Sequence, residues 1–327
     1  MSSLPGGLRV AVLSGGDSDE RLISLRSGAA VQAALAERGH LAVPLDPALV
    51  DLTSVDWTQF DVAFLALHGR YGEDGQVQRV LEQAGIPFTG SDSQASHLAF
   101  SKSAAKERFF QCGIPTPPYG LLHCADDPLR VERLVAEIGY PLVVKPDAQG
   151  SSLGVSIVRD PADLPQALRR CFDYDQFGLV EQAILGTEWT VGLLDDLVLP
   201  PLQIETPREF FDYQAKYHDD ATRYHFGENW PRGDVQQIAD VAAAACRALG
   251  VKGLARVDLR VDARHQPWVL EVNTIPGLTD HSLVPKAAAR IGIDFAELCD
   301  RMLQACLSGR PPRPHLLQNA FVPRRGP

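Results

Sequence analysis

Residues 253–277, GLARVDLRVDARHQPWVLEVNTIPG, read as two strands joined by a short polar turn. Side chains alternate faces along a strand. The first strand therefore sets Ala255, Val257, Leu259 and Val261 on one side and Arg256, Asp258 and Arg260 on the other. In the second, Leu270 and Val272 face one way, and Glu271 and Asn273 the other. Paired antiparallel, the hairpin has one apolar face and one face carrying carboxylates, an amide and arginine. A carboxylate inside a half-buried sheet costs free energy unless something pairs with it. Oxygen donors of this kind suit Mg²⁺, which takes one or two carboxylates and completes its shell with waters and phosphate oxygens. The plainer alternative is an amphipathic hairpin with a solvated outer face. The NTIPG at 273–277 weighs against that alternative, because it offers backbone N–H groups at a turn beside the carboxylates.

Upstream, the first third of the chain alternates strands and helices. LRVAVLS (8–14), LAVPLD and DVAFLALHG read as buried strands. RLISLRSGAAVQAALAERG, GQVQRVLEQAG and ASHLAFSKSAAKERFFQCG have helical periodicity, with Gly39 closing the first helix. This βαβ order predicts an open, mostly parallel α/β sheet with ligands at the carboxyl ends of its strands. The Pro-rich IPTPPYG (114–120) marks a boundary. Beyond it the pattern becomes α+β: PLVVKP, GVSIV, FGLVEQAI and EWTVGLL read as strands joined by hairpin turns, and a helix over 285–308 closes the fold. Residues 309–327, rich in Pro and Arg, predict a disordered tail.

At 327 residues the chain has room for two or three cores, and 45% apolar with 22% charged residues is a globular composition. A net charge of −10 argues against a nucleic-acid or anionic-membrane surface. No apolar run is long enough for a signal-peptide core or a membrane span, and the six cysteines form no CxxC pair. A reduced, cytoplasmic protein follows as the expectation, with Cys299 and Cys306 on one helix face.

Five further stretches carry chemistry-bearing residues. VVKPDAQGSSLGVSIV (143–158) ends a strand at Lys145 and enters a small-residue loop, where backbone N–H groups can approach phosphate oxygens; a flexible turn is the bland alternative. GLVEQAILGTEW (178–189) spaces Glu181 and Glu188 seven apart, a weak signal for contacts to a base and a ribose. ALHGRYGEDGQVQ (66–78) sets His68 at a strand end before a glycine-rich turn. GGDSDE (15–20) either caps the next helix through Asp17 and Glu20 or points Glu20 into the sheet crevice towards an ammonium group. FFDYQAKYHDDATRYHF (210–226) is an aromatic, charged loop with the length of a lid.

In this order the stretches resemble the D-alanine–D-alanine ligase family of the ATP-grasp superfamily, over nearly the whole chain. HGRYGEDG, KPDAQGSSLGVS, DYQAKY and RVDLRV…WVLEVNTIPGLTDHSLVP carry the resemblance. It implies an ATP-grasp fold: an N-terminal Rossmann-like substrate domain (1–101), a central subdomain (102–188), and a C-terminal subdomain with metal site and lid (189–308). It implies ATP and two Mg²⁺ ions, with Mn²⁺ as an alternative, held by Asp258, Glu271 and Asn273. Lys102, Lys145 and the Ser151–Ser152 loop would hold the phosphates, and Lys216 would reach the transferred one. Glu181, the backbone of Gln182 to Ile184, and Glu188 would hold adenine and ribose. Glu20 would take the ammonium of the first D-alanine, supported by Ser151 and Tyr217, with His68 nearby. Arg256 and the Gly277 N–H would stabilise the tetrahedral oxyanion, and Ser282 with the Leu283 N–H would hold the second carboxylate. Small-molecule partners, a homodimer, no nucleic acid and no membrane complete the implied picture.

Three positions depart from the family pattern: Leu22, where a second acidic residue is common, Arg79 for a small residue, and Arg260 for an apolar one. They leave open a related ligase with another amino-acid substrate, or a silent binding protein on the same fold. The AKY of the lid resembles dipeptide-forming members, which favours D-alanine over D-lactate as second substrate.

Overall fold

The computed structural model describes residues 7–208, 221–279 and 282–308. Its first sheet is parallel, in the order β2-β1-β3, from β1 (Arg9–Leu13), β2 (Leu41–Leu45) and β3 (Val62–Leu65). Helix α1 (Arg21–Glu37) crosses between β1 and β2, and Gly39 at φ +82° ends its turn, as the periodicity predicts. The helix starts at Arg21 with Glu20 at its N-cap position and no side-chain cap bond, so the Asp17 cap does not form. Arg21 instead pairs with Asp46 at 2.7 Å, which fixes the loop by another route. Helices α2 (Gln76–Gln83), α3 (Ser93–Phe100) and α4 (Lys102–Gln111) follow β3.

The second sheet is antiparallel, order β4-β7-β5-β6, from β4 (Tyr119–His123), β5 (Leu142–Pro146), β6 (Ser156–Val158) and β7 (Phe177–Gln182). Its connections are not all hairpins. Helix α5 (Pro128–Ile138), capped by Asp127, and α6 (Leu164–Phe172) interrupt them and pack Val135, Ala167 and Cys171 under Leu142, Val144 and Val180.

The third sheet holds the hairpin. Strands β8 (Gly186–Leu194), β9 (Leu197–Val198), β10 (Leu202–Glu205) and β11 (Arg223–His225) precede helix α7 (Arg232–Leu249). Strands β12 (Leu254–Asp262) and β13 (Pro267–Asn273) then complete the order β11-β10-β8-β12-β13, with β9 on β8. Ala255, Val257, Leu259 and Val261 are buried against Ile238 and Ala242 of α7 and against Ala105 and Phe109 of α4. The apolar half of the expected alternation on β12 is thus the half that meets the core.

The closing helix is two, α8 (Leu283–Arg290) and α9 (Phe295–Leu307). Gly292 at φ +81° leaves helical space, and Asp294 restarts the chain by accepting from Glu297 N at 2.7 Å. Cys299 and Cys306 of α9 join one apolar cluster with β1 and α1. No described helix is long and apolar enough to cross a membrane. The expected tail at 309–327 lies outside the described residues.

Candidate active site

Strand β12 lies between β8 and β13, so each outward residue of β12 has a neighbour on both sides. Arg260 pairs with Glu188, which in turn pairs with Ile204 of β10. Asp258 pairs with Thr190 on one side and Glu271 on the other. Arg256 pairs with Gly192 and Asn273. These are three parallel rungs on one face, each two residues, roughly 7 Å, from the next. The rungs run from an apolar and ion-paired end, through a carboxylate pair, to an arginine beside an amide.

The second strand does not keep the simple alternation. Asp258 is opposite Glu271 but Leu259 is opposite Val269, so Leu270 is the extra residue of a β-bulge. Leu270 therefore turns out of the apolar face, where Val269 is buried in its place, and lines the same cavity as Glu271. A bulge leaves no periodicity that a residue pattern can reveal.

That cavity, of about 310 Å³, lies between the second and third sheets. Lys102, Lys145, Ser152, Glu181, Gln182, Ile184, Glu188, Asp258 and Glu271 line it, together with Val143, Ile157 and Leu270. At its back Lys145 Nζ bonds Glu181 Oε1 at 2.6 Å. Lys106 Nζ lies 2.8 Å from Glu181 Oε2 and donates to Thr116 Oγ1 at 2.7 Å. The Lys106 contact compensates the second carboxylate oxygen, so both oxygens of Glu181 face an ammonium group. Burial pushes the Lys106 amine down to about 8, with Glu181 opposing. Burial works against ionisation of Glu181 too, but Lys106 and Lys145 outweigh it and hold the carboxyl below its usual range. The amides of Gln182 and Ala183 are spent on Pro118 O and Pro141 O, whereas Ile184 N–H meets no acceptor among the described residues.

A second cavity adjoins the first through Lys102, Gln149 and Glu271. It gathers Glu20, His68, Ser151, Arg256, Asn273 and Gly277. Ser151 Oγ donates to Glu20 Oε1, joining residues 131 positions apart. Of the two readings of GGDSDE, the geometry thus places Glu20 in the crevice. Ser151 and Ser152 hold φ of +51° and +58°, a left-handed backbone that non-glycine residues adopt at a cost. His68 bonds Ser27 Oγ at 3.0 Å and Ile275 O at 3.1 Å, and lies 3.7 Å from Glu73. Burial, with Glu20 adding to it, pushes Glu73 up against the pull of His68. Ser282 and Leu283 line neither cavity, but a Cβ at Gly277 would stand 3.0 Å from Ser282 Oγ, and Leu283 opens α8.

Asp258 and Glu271 face each other across the hairpin, and Asn273 stands one rung away. Two carboxylates and an amide at the edge of a lysine-lined cavity are a donor set that fits magnesium completed by phosphate oxygens. Asn273 Oδ1 already accepts from Ile275 N at 3.0 Å and retains a second lone pair. Among the described residues no group of three or more His, Cys, Asp and Glu side chains forms a metal site. Lys216 and Tyr217 fall outside the described residues, as does most of the expected lid.

Lys106, Glu73 and Gln149 escape a reading of the sequence alone. Lys106 sits one helical turn from Lys102 and looks there like a solvated face; only its Glu181 partner, 75 positions on, betrays it. Leu22, 68% exposed, and Arg79, also exposed, line neither cavity, so two of the three departures lie away from the site. The third, Arg260, is inside it.

The chain matches the family model described as D-ala D-ala ligase C-terminus over residues 109–304 and the one for the N-terminus over 51–91. It is 46% identical to the D-alanine–D-alanine ligase of Marinobacter nauticus over 300 residues, 92% of this chain and 91% of that one. Among solved structures it is similar to the Bacillus anthracis D-alanine–D-alanine ligase complexed with ATP, with 34% identity and a TM-score of 0.81 over 92% of this chain and 98% of that one. The VanG D-Ala:D-Ser ligase from Enterococcus faecalis is similar at 27% identity and a TM-score of 0.81, covering 92% of this chain and 99% of that one.

Proposed function

The chain belongs to the D-alanine–D-alanine ligase family, of ATP-grasp fold, and from that premise we propose how its residues divide the work. The reaction joins two D-alanines at the expense of ATP and supplies a peptidoglycan precursor. A carboxylate is a poor electrophile, so the first D-alanine takes the γ-phosphoryl group of ATP to become an acyl phosphate, with ADP released. The amine of the second D-alanine then attacks the carbonyl, and inorganic phosphate leaves as the peptide bond forms.

ATP lies along β12, nucleoside towards the Arg260–Glu188 rung and γ-phosphate towards Arg256. The supporting observation is the ladder itself: an apolar, ion-paired rung, a carboxylate rung and an arginine rung follow one another on one face, in the order the reaction needs. Ile184 N–H and the backbone from Gln182 meet the base, Glu188 meets the ribose, and Glu181 holds Lys145 towards the phosphates beside Lys102 and the Ser151–Ser152 loop. Asp258, Glu271 and Asn273 would hold magnesium, as two ions with manganese as an alternative, and the metal would supply charge neutralisation at the phosphates.

Glu20, oriented by Ser151, receives the first ammonium, with His68 behind it. Arg256 and the Gly277 N–H face the developing oxyanion, where loss of one donor typically costs about 100- to 1,000-fold in rate. Ser282 and the first N–H of α8 take the second carboxylate. Lys216 and Tyr217, on the lid, would complete the phosphate and ammonium contacts and keep water from the acyl phosphate. Residues 1–101, 102–188 and 189–308 act as the three structural units, and two copies pair as a homodimer. No nucleic acid or membrane takes part, and the setting is the cytoplasm.

The test is phosphate release with ATP and Mg²⁺ across a panel of D- and L-amino acids, D-serine and D-lactate included, with the product weighed by mass spectrometry. D-alanyl-D-alanine as the main product supports the reading. Turnover only without D-alanine points to a related ligase with another substrate, and no turnover at all points to a silent protein.

A further inference from the structure

Arg260 is the departure from the family pattern that lies inside the ATP cavity. Its strand partners are Glu188 and Trp268, and the cavity around it also holds Arg159 and the apolar Ile204, two strands away on the same rung, and Leu270, delivered by the bulge. Val143 and Ile157 form the facing wall on the second sheet. The side chain is 19% exposed and held at one end of its fork, where Nη1 donates to Gly186 O at 2.9 Å; Nη2 lies 3.8 Å from Glu188 Oε2, a looser ion pair. Gly186 can bring its carbonyl this close because it has no Cβ; one would stand 1.9 Å from Val261 O.

We propose that Arg260 is a nucleoside-positioning residue: its tethered guanidinium presents a planar cation to the base of ATP and holds Glu188 in place for the ribose hydroxyls. The proposal rests on ATP lying along β12 with its nucleoside at the Glu188 rung. A slot between two apolar walls fits a flat ring, and arginine is the cation that stacks on one, because its charge is delocalised over a plane. A guanidinium anchored to a backbone carbonyl has already lost its freedom, so little further ordering opposes stacking. Its charge also compensates Glu188, whose side chain is 15% exposed. A base contact of this kind acts on nucleotide binding and is unchanged as the phosphoryl group moves, so its loss falls on KM for ATP more than on kcat.

The experiment compares Arg260→Met, Arg260→Lys and Glu188→Gln, with KM for ATP, KM for D-alanine and kcat measured for each, and ATP set against 2′-deoxy- and 3′-deoxy-ATP. Thermal melts check folding. Arg260→Met is expected to raise KM for ATP about five- to tenfold, the range of a partly desolvated cation–π contact. It is also expected to narrow the preference for ATP over the deoxy analogues, because Glu188 is released. Arg260→Lys, which keeps the charge without the plane, should restore the ribose preference but not the affinity. The proposal is overturned if both Arg260 variants melt like wild type and keep KM for ATP within twofold, or if the loss falls on D-alanine. If Glu188→Gln raises KM for ATP while the Arg260 variants do not, this assignment alone fails. If none of the three moves it, the placement of the nucleoside fails with it.

Discussion

Arg256 and Asp258, two residues apart on β12, are joined by two hydrogen bonds, Nε to Oδ1 at 2.9 Å and Nη2 to Oδ2 at 2.7 Å. Thr190 Oγ1 donates to the same Oδ1 at 2.7 Å. The carboxylate assigned to magnesium is therefore held, in this structure, by the cation assigned to the oxyanion. The pair is partly buried, at 12% and 16% exposure, so neither charge is carried alone. On the proposed roles, Asp258 would have to exchange Arg256 for the metal, which would leave the arginine for the reacting carbon.

Arg256→Met separates those two duties. It should lower kcat by about 100- to 1,000-fold, the usual cost of one oxyanion donor. It should not weaken magnesium, because it removes a competitor for Asp258. The check is steady-state kinetics against a magnesium titration. A parallel loss of kcat and metal affinity would mean that Arg256 merely supports Asp258.

Glu271 offers a cleaner test of the metal assignment. It faces Asp258 in register, and Lys102 Nζ lies 3.3 Å from its Oε2 while donating to Gln149 O at 2.7 Å. Glu271→Gln keeps the size and a hydrogen-bonding end but removes the charge. Turnover should be abolished while circular dichroism stays near wild type, since the Glu271 side chain is 32% exposed and the buried Lys102 keeps Gln149 O as an acceptor. Near-normal phosphate release would show that the metal is held elsewhere.

Glu20 is pressed into place by missing side chains. A Cβ at Gly150 would come to 2.5 Å from Glu20 Oε2, and one at Gly69 to 2.9 Å. Gly150→Ala should push the carboxylate off its position and reduce kcat/KM for D-alanine by about 10- to 100-fold, as a displacement near 1 Å can. KM for ATP should change less, because Gly150 itself lines the second cavity and not the first. Initial rates with each substrate varied in turn decide it, and an equal rise in both constants would count against a selective role for Glu20.

The hairpin was legible because its chemistry is local: β12 alternates at period two, and Arg256, Asp258 and Arg260 come out on one face. What stayed hidden was either irregular or distant. The bulge that turns Leu270 into the cavity is a change of register with no residue signature of its own. Glu20 finds Ser151 across 131 positions. Lys106 finds Glu181 across 75, and a lysine on a helix is ordinarily in water. Such pairings depend on how three sheets stack, which no window along the chain contains. GGDSDE stayed undecided for the opposite reason: its capping pattern was local and sound in form, and only the Arg21–Asp46 pair, which fixes the loop instead, rules the cap out.

The buried triad of Lys106, Glu181 and Lys145 makes a prediction that separates charge from packing. Glu181→Gln would leave two ammonium groups facing each other out of water, so it should cost about 3–5 kcal/mol of stability, the usual penalty for breaking a buried pair. Lys106→Met leaves one anion with one cation and should cost less. The two variants also diverge with pH. Burial brings the folded Lys106 amine down from its ordinary 10.5 to about 8, so between those values the unfolded chain holds a proton that the folded chain has shed. The wild type should therefore gain stability relative to Lys106→Met as pH rises from about 8 towards 10. On the acid side, Lys106 and Lys145 hold the folded carboxyl of Glu181 below its ordinary value of 4.5, so its contribution is present above that value and lost as pH falls through the folded one. Urea unfolding of wild type and variant at several pH values reads both slopes. A wild-type advantage that stays flat or shrinks across the alkaline window would mean that Lys106 keeps an ordinary proton affinity in its buried site.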